Sequence, residues 1–231
     1  MDVRKTLLGI SVAALVSTPA AAGLINFEDG PSLGLSDNAE LTDEYQASDG
    51  VTFDGGFLEA SGETDDNPQG FLNDQTSVND DEFLASPGLG DWFVRTDGSI
   101  GSRGAGSVFL TINYDTPVTG ASGEIWDIDG NDSQGNEQWE VQARKDSALV
   151  DSITSPLGTT NGAGSLDGLP WQFSLSGGEF NQIDFVFKGD KESGVGLGFD
   201  NFNTASVPEP GSLALLGLGL VGTVVARRRK S

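Results

Sequence analysis

Asp127-Ile128-Asp129-Gly130-Asn131-Asp132 is the sharpest chemical constellation in the chain, with oxygen-bearing side chains crowded around one glycine. Carboxylates at alternating positions can wrap a hard cation, so Asp127, Asp129, Asn131 and Asp132 are candidate Ca2+ ligands. The spacing is not that of an EF-hand. Asp132 stands at the sixth place, where that loop needs glycine, and Gln138 at the twelfth, where it needs a bidentate Glu. Asp and Asn are also good turn formers, so the same residues suit an acidic hairpin loop between two strands.

Four tryptophans supply the aromatic chemistry. Trp126, Trp139 and Trp171 alternate with polar residues inside β-forming runs and are expected in the core. Trp92 follows Asp91 and a glycine-rich turn, which makes it the candidate for stacking on a sugar ring.

The absences exclude more than the motifs propose. With no His there is no Ser-His-Asp triad, no histidine base and no His-based zinc site. With no Cys there is no disulfide, so stability must come from the core or from bound ions. A glycosidase built on two carboxylates stays open, and Glu124, Glu137 and Glu140 lie on or beside predicted strands. A secreted polysaccharide-active enzyme is therefore the alternative to a non-catalytic binding or structural protein, which is the preferred reading.

Charge points the same way. The chain carries 35 acidic and 12 basic residues, a net −23. Six of the basic residues lie at the two ends, so residues 23–205 hold 33 acidic against 6 basic groups. Such a surface repels nucleic acid and anionic lipid and attracts divalent cations.

The elements that must position these residues read as strands. Short runs of β-formers separated by Gly, Asp, Asn and Ser predict strands over Leu24–Phe27, Val51–Phe53, Phe57–Ala60, Trp92–Arg95, Val108–Tyr114, Ser122–Ile128, Gln138–Lys145, Leu149–Ile153, Trp171–Leu175, Ile183–Lys188 and Val195–Phe202. Alternation puts Val108, Leu110, Ile112 and Tyr114 on one face, and likewise Ile183, Phe185 and Phe187. No helical periodicity competes in this segment. The prediction is one all-β domain over 23–205, an antiparallel β-sandwich of jelly-roll type, with the acidic stretch Ser61–Pro87 as a long loop.

Both ends read as address labels. Arg4 and Lys5, an apolar run from Leu7 to Val16 and Ala20-Ala21-Ala22 form a signal peptide over 1–22, with a helical apolar segment and cleavage before Gly23. At the other end, Val207-Pro208-Glu209-Pro210 stays extended because proline fixes φ and disfavours helix before it. A charge-free run over 212–226 follows, then Arg227-Arg228-Arg229-Lys230. As a helix the run spans roughly 22 Å, short of the roughly 30 Å of a bilayer core, and the basic cluster belongs on the cytoplasmic side. Gly217-Leu218-Gly219-Leu220-Val221-Gly222 matches a dinucleotide-binding fingerprint only by coincidence, since no βαβ unit can follow it.

The segment 206–231 resembles the PEP-CTERM sorting signal of Gram-negative bacteria that make exopolysaccharide. The resemblance rests on Val207, Pro208, Glu209 and Pro210, the short apolar helix and the arginine cluster. It implies export, transient anchoring in the inner membrane, processing by an exosortase, and a final place at the cell surface or in the exopolysaccharide matrix. The segment between the labels is similar in pattern to galactose-binding-like and carbohydrate-binding jelly rolls, through Phe27-Glu28, Trp126–Asp129 and Gly198-Phe199-Asp200-Asn201-Phe202. That resemblance implies pairing of the first and last strands with a structural Ca2+ near their junction. It makes Glu28, with Asp29 beside it, and Asp200 a second candidate cation site, and exopolysaccharide a candidate partner.

Overall fold

Hydrophobic alternation and dense turn chemistry give mostly antiparallel β-sheet. The structure, a computed structural model, describes residues 23–60, 89–96, 104–131, 133, 135–159, 166–192, 195 and 198–206. The expected signal segment 1–22, the loop 61–87 and the tail from Val207 onward, with its apolar run 212–226, lie outside the described residues. Among those described, no helix is long and apolar enough to cross a membrane.

In chain order the strands are β1 (Leu24–Ile25), β2 (Val51–Asp54), β3 (Gly56–Ala60), β4 (Trp92–Thr96), β5 (Val108–Ile128), β6 (Gly130–Asn131), β7 (Gly135–Asn136), β8 (Trp139–Lys145), β9 (Ala148–Thr154), β10 (Leu166–Leu175), β11 (Phe180–Phe187) and β12 (Gly198–Ser206). A 3-10 turn (Gly30–Leu33) and a single α-helical turn, α1 (Gln46–Asp49), precede β2. The main sheet runs β3-β4-β12-β5-β11-β8-β9, with β1 on β12 and both β2 and β10 on β5. The first and last strands pair, Leu24 with Asn203 and Ile25 with Phe202.

β5 organises the fold. The sequence predicts two strands, ending at Tyr114 and restarting at Ser122. The structure runs one strand through all 21 residues. It can do so because the register with β11 jumps from Asn113 to Val118, so Pro117 sits in the irregularity, where no ladder bond is required. The first half of β5 carries β2 and β11, and the second half carries β12 and β10.

The two halves bury a common aromatic core. Phe185 of β11 meets Phe173 of β10 and Phe199 of β12 at ring separations of 5.6 and 5.0 Å. Phe199 continues to Phe27 and Phe202, and Phe202 to Tyr114. Such edge and tilted contacts add roughly 0.5–1.5 kcal/mol each beyond burial of the rings. Trp126 and Trp139 are fully buried, as their alternation predicts. Val108 is the exception on its face, exposed where β5 begins.

Candidate functional site

Three strands bring a polar row together on the face of the sheet opposite the aromatic core. Asp200 of β12 pairs with Glu124 of β5, and Glu124 with Gln172 of β10. One step along, Asn203, Ser122 and Ser174 repeat the row. Ser122, Glu124, Gln172, Ser174 and Asn201 line a shallow cleft of about 430 Å³ whose floor includes Gly123 and Phe173. Gly123 leaves room for the rings on either side of it. A Cβ would come within 3.0 Å of the Phe173 ring and 3.1 Å of Phe199.

A bulge in β12 sets the electrostatics of the cleft. The register shifts between Asp200 and Asn203, and Asn201 takes a left-handed backbone, φ +51°. Its amide Nδ2 thereby donates to Glu124 Oε2 at 2.8 Å and to Asp200 Oδ2 at 3.3 Å. Gln172 Nε2 donates to the other oxygen, Glu124 Oε1, at 3.1 Å. Both oxygens of Glu124 are thus fixed by amides.

Beneath this carboxylate, Asp200 is 1% exposed, and its Oδ1 is buried without a hydrogen bond. Burial pushes its pKa up to about 8, a backbone bond at Asn201 opposes the shift, and the charges of Glu124 and Glu28 add to it. The group therefore holds its proton at neutral pH.

Glu28 approaches the same region from the chain end of β1. Its Oε1 accepts from the backbone N–H of Asp91 at 2.9 Å and of Trp92 at 3.2 Å. The turn fits around it through Gly90, φ +75°, where a Cβ would lie 1.9 Å from Glu28 Oε1. Trp92 is half-buried and packed against the core, as is Trp171, so neither presents a fully open ring.

The first cation candidate is arranged differently. Asp129 pairs with the ammonium of Lys191, Nζ to Oδ1 at 2.6 Å, and the same ammonium bonds Glu137 Oε1 at 3.0 Å. Asp127, φ +65°, sits two residues back in β5. The side chain of Asn131 and all of Asp132 lie outside the described residues. Among those described, no group of three or more His, Cys, Asp or Glu is assembled as a metal site. Asp129 has instead a cation supplied by the chain. The three glutamates of the hydrolase alternative are also separated in role: Glu124 lines the cleft, Glu137 is buried with Lys191, and Glu140 pairs with Lys188 at 3.2 Å.

Sequence reading misses Asn201, Gln172, Ser122, Ser174 and Lys191. For Asn201 a signal exists: Phe199 and Phe202 are three apart and both buried, which a regular strand cannot achieve without an inserted residue. For the others, pairing across β5, β10 and β11 is needed, and no local pattern encodes it.

Residues 206–230 match the PEP-CTERM protein-sorting motif. A motif of this kind implies export through a sorting system and processing by an exosortase. No curated protein matches the chain. Among solved structures, the chain is similar to the GalNAc-bound CBM32-2 of a GH31 protein, at 12% identity, TM-score 0.32, covering 68% of this chain and 97% of that one. It is also similar to the CBM22-1 xylan-binding domain of Paenibacillus barcinonensis Xyn10C, at 11% identity, TM-score 0.32 and coverages of 83% and 99%. The Agl-KA catalytic domain follows at 13% identity, TM-score 0.28 and coverages of 85% and 30%.

Proposed function

We propose that this is an exported, non-catalytic binding protein. A jelly-roll β-sandwich, delivered through the PEP-CTERM tail to the cell surface or the exopolysaccharide matrix, binds a neutral glycan across β12, β5 and β10. The observation that carries the reading is the Asp200–Glu124–Gln172 row with Asn201 turned into it. An amide-held carboxylate flanked by Ser122 and Ser174 offers the mixed donors and acceptors that ligand hydroxyls require. A net charge of −23 disfavours an anionic polymer. Trp92, half-buried at the start of β4 and outside the cleft lining, offers the reading only the exposed part of its ring as a stacking surface.

The reading is non-catalytic because Glu124 is the one carboxylate among the described residues that lines the cleft, and the neighbouring carboxyl of Asp200 is buried. Asp200 is closed over by its neighbours, and a general acid must reach the atom it protonates. Calcium belongs to the same proposal at Glu28 and Asp200. The residues fit a cation: a buried carboxyl oxygen of Asp200 lacks a donor, and two further acids add negative potential to it. Bound Ca2+ would displace the Asp200 proton and supply a partner for that oxygen.

The test is a glycan array with neutral and anionic polymers, run beside an assay for reducing-sugar release. Retention of neutral glycans without release, weakened by Glu124→Gln, is the expected result. Release of sugar that disappears in Glu124→Gln would replace this reading with the hydrolase, and absence of any retained glycan would end it.

A further inference from the structure

Lys191 bridges Asp129 and Glu137 in the region where the chain leaves β5 and β11. Lys191 Nζ is 2.6 Å from Asp129 Oδ1 and 3.0 Å from Glu137 Oε1. The side chains of Lys191 and Glu137 are 8% and 2% exposed, and that of Asp129 is 27%. Glu137 Oε2 also accepts from the Trp139 indole at 3.4 Å.

The backbone holds the set in place. Glu137 N–H donates to Asp129 O at 2.9 Å, and the N–H groups of Asp190 and Lys191 both donate to Asn136 O. Asp190 Oδ1 takes the N–H of Asn136 at 2.8 Å. Two glycines allow this closeness: a Cβ on Gly135 would meet Asp190 O at 2.6 Å, and one on Gly158 would meet Asp129 O at 2.1 Å. A surface ion pair needs none of this clamping.

We propose that this set is a self-modifying site, in which Lys191 Nζ forms an intramolecular amide bond with the side-chain carboxyl of Asp129, assisted by Glu137. A nucleophile, an acyl carbon and a proton carrier within hydrogen-bond reach are the parts that acyl transfer needs. Glu137, held by the Lys191 ammonium on one oxygen and the Trp139 indole on the other, stands beside the reacting pair where it can relay protons. Burial lowers the Lys191 pKa, but the paired carboxylates outweigh it and hold the ammonium form.

The step balances. Lys191 gives one proton to the Asp129 carboxylate, leaving an amine and an acid. Nζ attacks Asp129 Cγ while Glu137 protonates a carboxyl oxygen and takes a proton from Nζ. One C–N bond forms, one C–O bond breaks and one water leaves, with no change of oxidation state. The product closes a ring across 62 residues in an exported chain that has no cysteine to cross-link it.

Peptide mapping by tandem mass spectrometry of the full-length protein tests this. The expected product is a branched peptide joining Lys191 to Asp129, lighter than the two linear peptides by one water. Lys191→Arg, which keeps the charge and the fold, should lack it and melt about 10 °C lower. Glu137→Gln should abolish or greatly slow its formation. Asp129 precedes Gly130, and a succinimide there would also lose one water. A dehydrated linear peptide, or two unmodified linear peptides in the wild type, would overturn the proposal.

Discussion

Asn201 Nδ2 donates to Glu124 Oε2 at 2.8 Å, and this bond exists because Asn201 leaves the extended backbone of β12 for a left-handed conformation. Asparagine tolerates that conformation better than most residues and carries the amide that spans the two carboxyl groups. Removing it changes backbone and cleft separately, which makes the two effects measurable. Asn201→Gly keeps the turn and loses the amide, so the melting temperature should hold within a few degrees while glycan affinity falls about tenfold, a loss of roughly 1.4 kcal/mol. Asn201→Val should lose both, since a β-branched residue is strained at positive φ. Equal affinity for wild type and Asn201→Gly in calorimetry would remove Asn201 from the site.

Asp200 predicts the direction of pH dependence. Its folded-state pKa, near 8, lies above the ordinary Asp value, so the folded protein binds the extra proton. That contribution to stability is fully present below about pH 4 and is lost as pH rises through about 8. Asp200→Asn keeps the neutral form at every pH. In chelator, the variant should match the wild type near pH 4 and exceed it by a growing margin up to pH 9. Thermal melts of the two proteins at both pH values check this, and a wild-type advantage at pH 9 would contradict it.

Calcium should reverse that comparison. If the cation sits at Glu28 and Asp200, saturating Ca2+ raises the wild-type midpoint by several degrees, by mass action on the folded state. Asp200→Asn should show little response. Midpoints in excess EGTA and in millimolar Ca2+ decide the matter, and an unmoved wild type counts against a cation at this junction.

Gly90 tests how the turn over Glu28 is built. Alanine there meets a positive φ and the Glu28 carboxylate together, so Gly90→Ala should cost about 1–3 kcal/mol. The double change Gly90→Ala with Glu28→Ala should recover the steric part alone. A denaturant titration showing no loss for Gly90→Ala would mean that the turn has another conformation of equal energy.

Much of this architecture is legible in the sequence where one strand's alternation carries the information. Ile183, Phe185 and Phe187 point inward as their spacing states, and β8, β9 and β11 fall close to their predicted spans. The continuity of β5 is not legible, because Pro117 lacks an N–H for the ladder and only the register jump on β11 shows that none is needed there. The cleft is hidden for a related reason. Glu124 and Gln172 are 48 residues apart and meet only by cross-strand pairing. Lys191 is one of a few cations among many acids, and nothing in its neighbourhood selects Asp129 and Glu137 as its partners.

The tail supplies the last prediction. The sequence Pro208-Glu209-Pro210 disfavours helix before each proline, and a helical span is expected to need more than the charge-free run 212–226 supplies. A segment of that kind suits recognition and removal better than lasting anchorage. In its native host, the wild type should be found outside the cell membrane, with an intact mass lacking the residues after the Pro-Glu-Pro motif. Glu209→Ala with Pro210→Ala should leave the protein in the membrane fraction at full C-terminal length, since the run and its arginines are untouched. Fractionation with intact-mass measurement separates the outcomes, and a wild type that keeps Arg227–Lys230 in the membrane would refute processing.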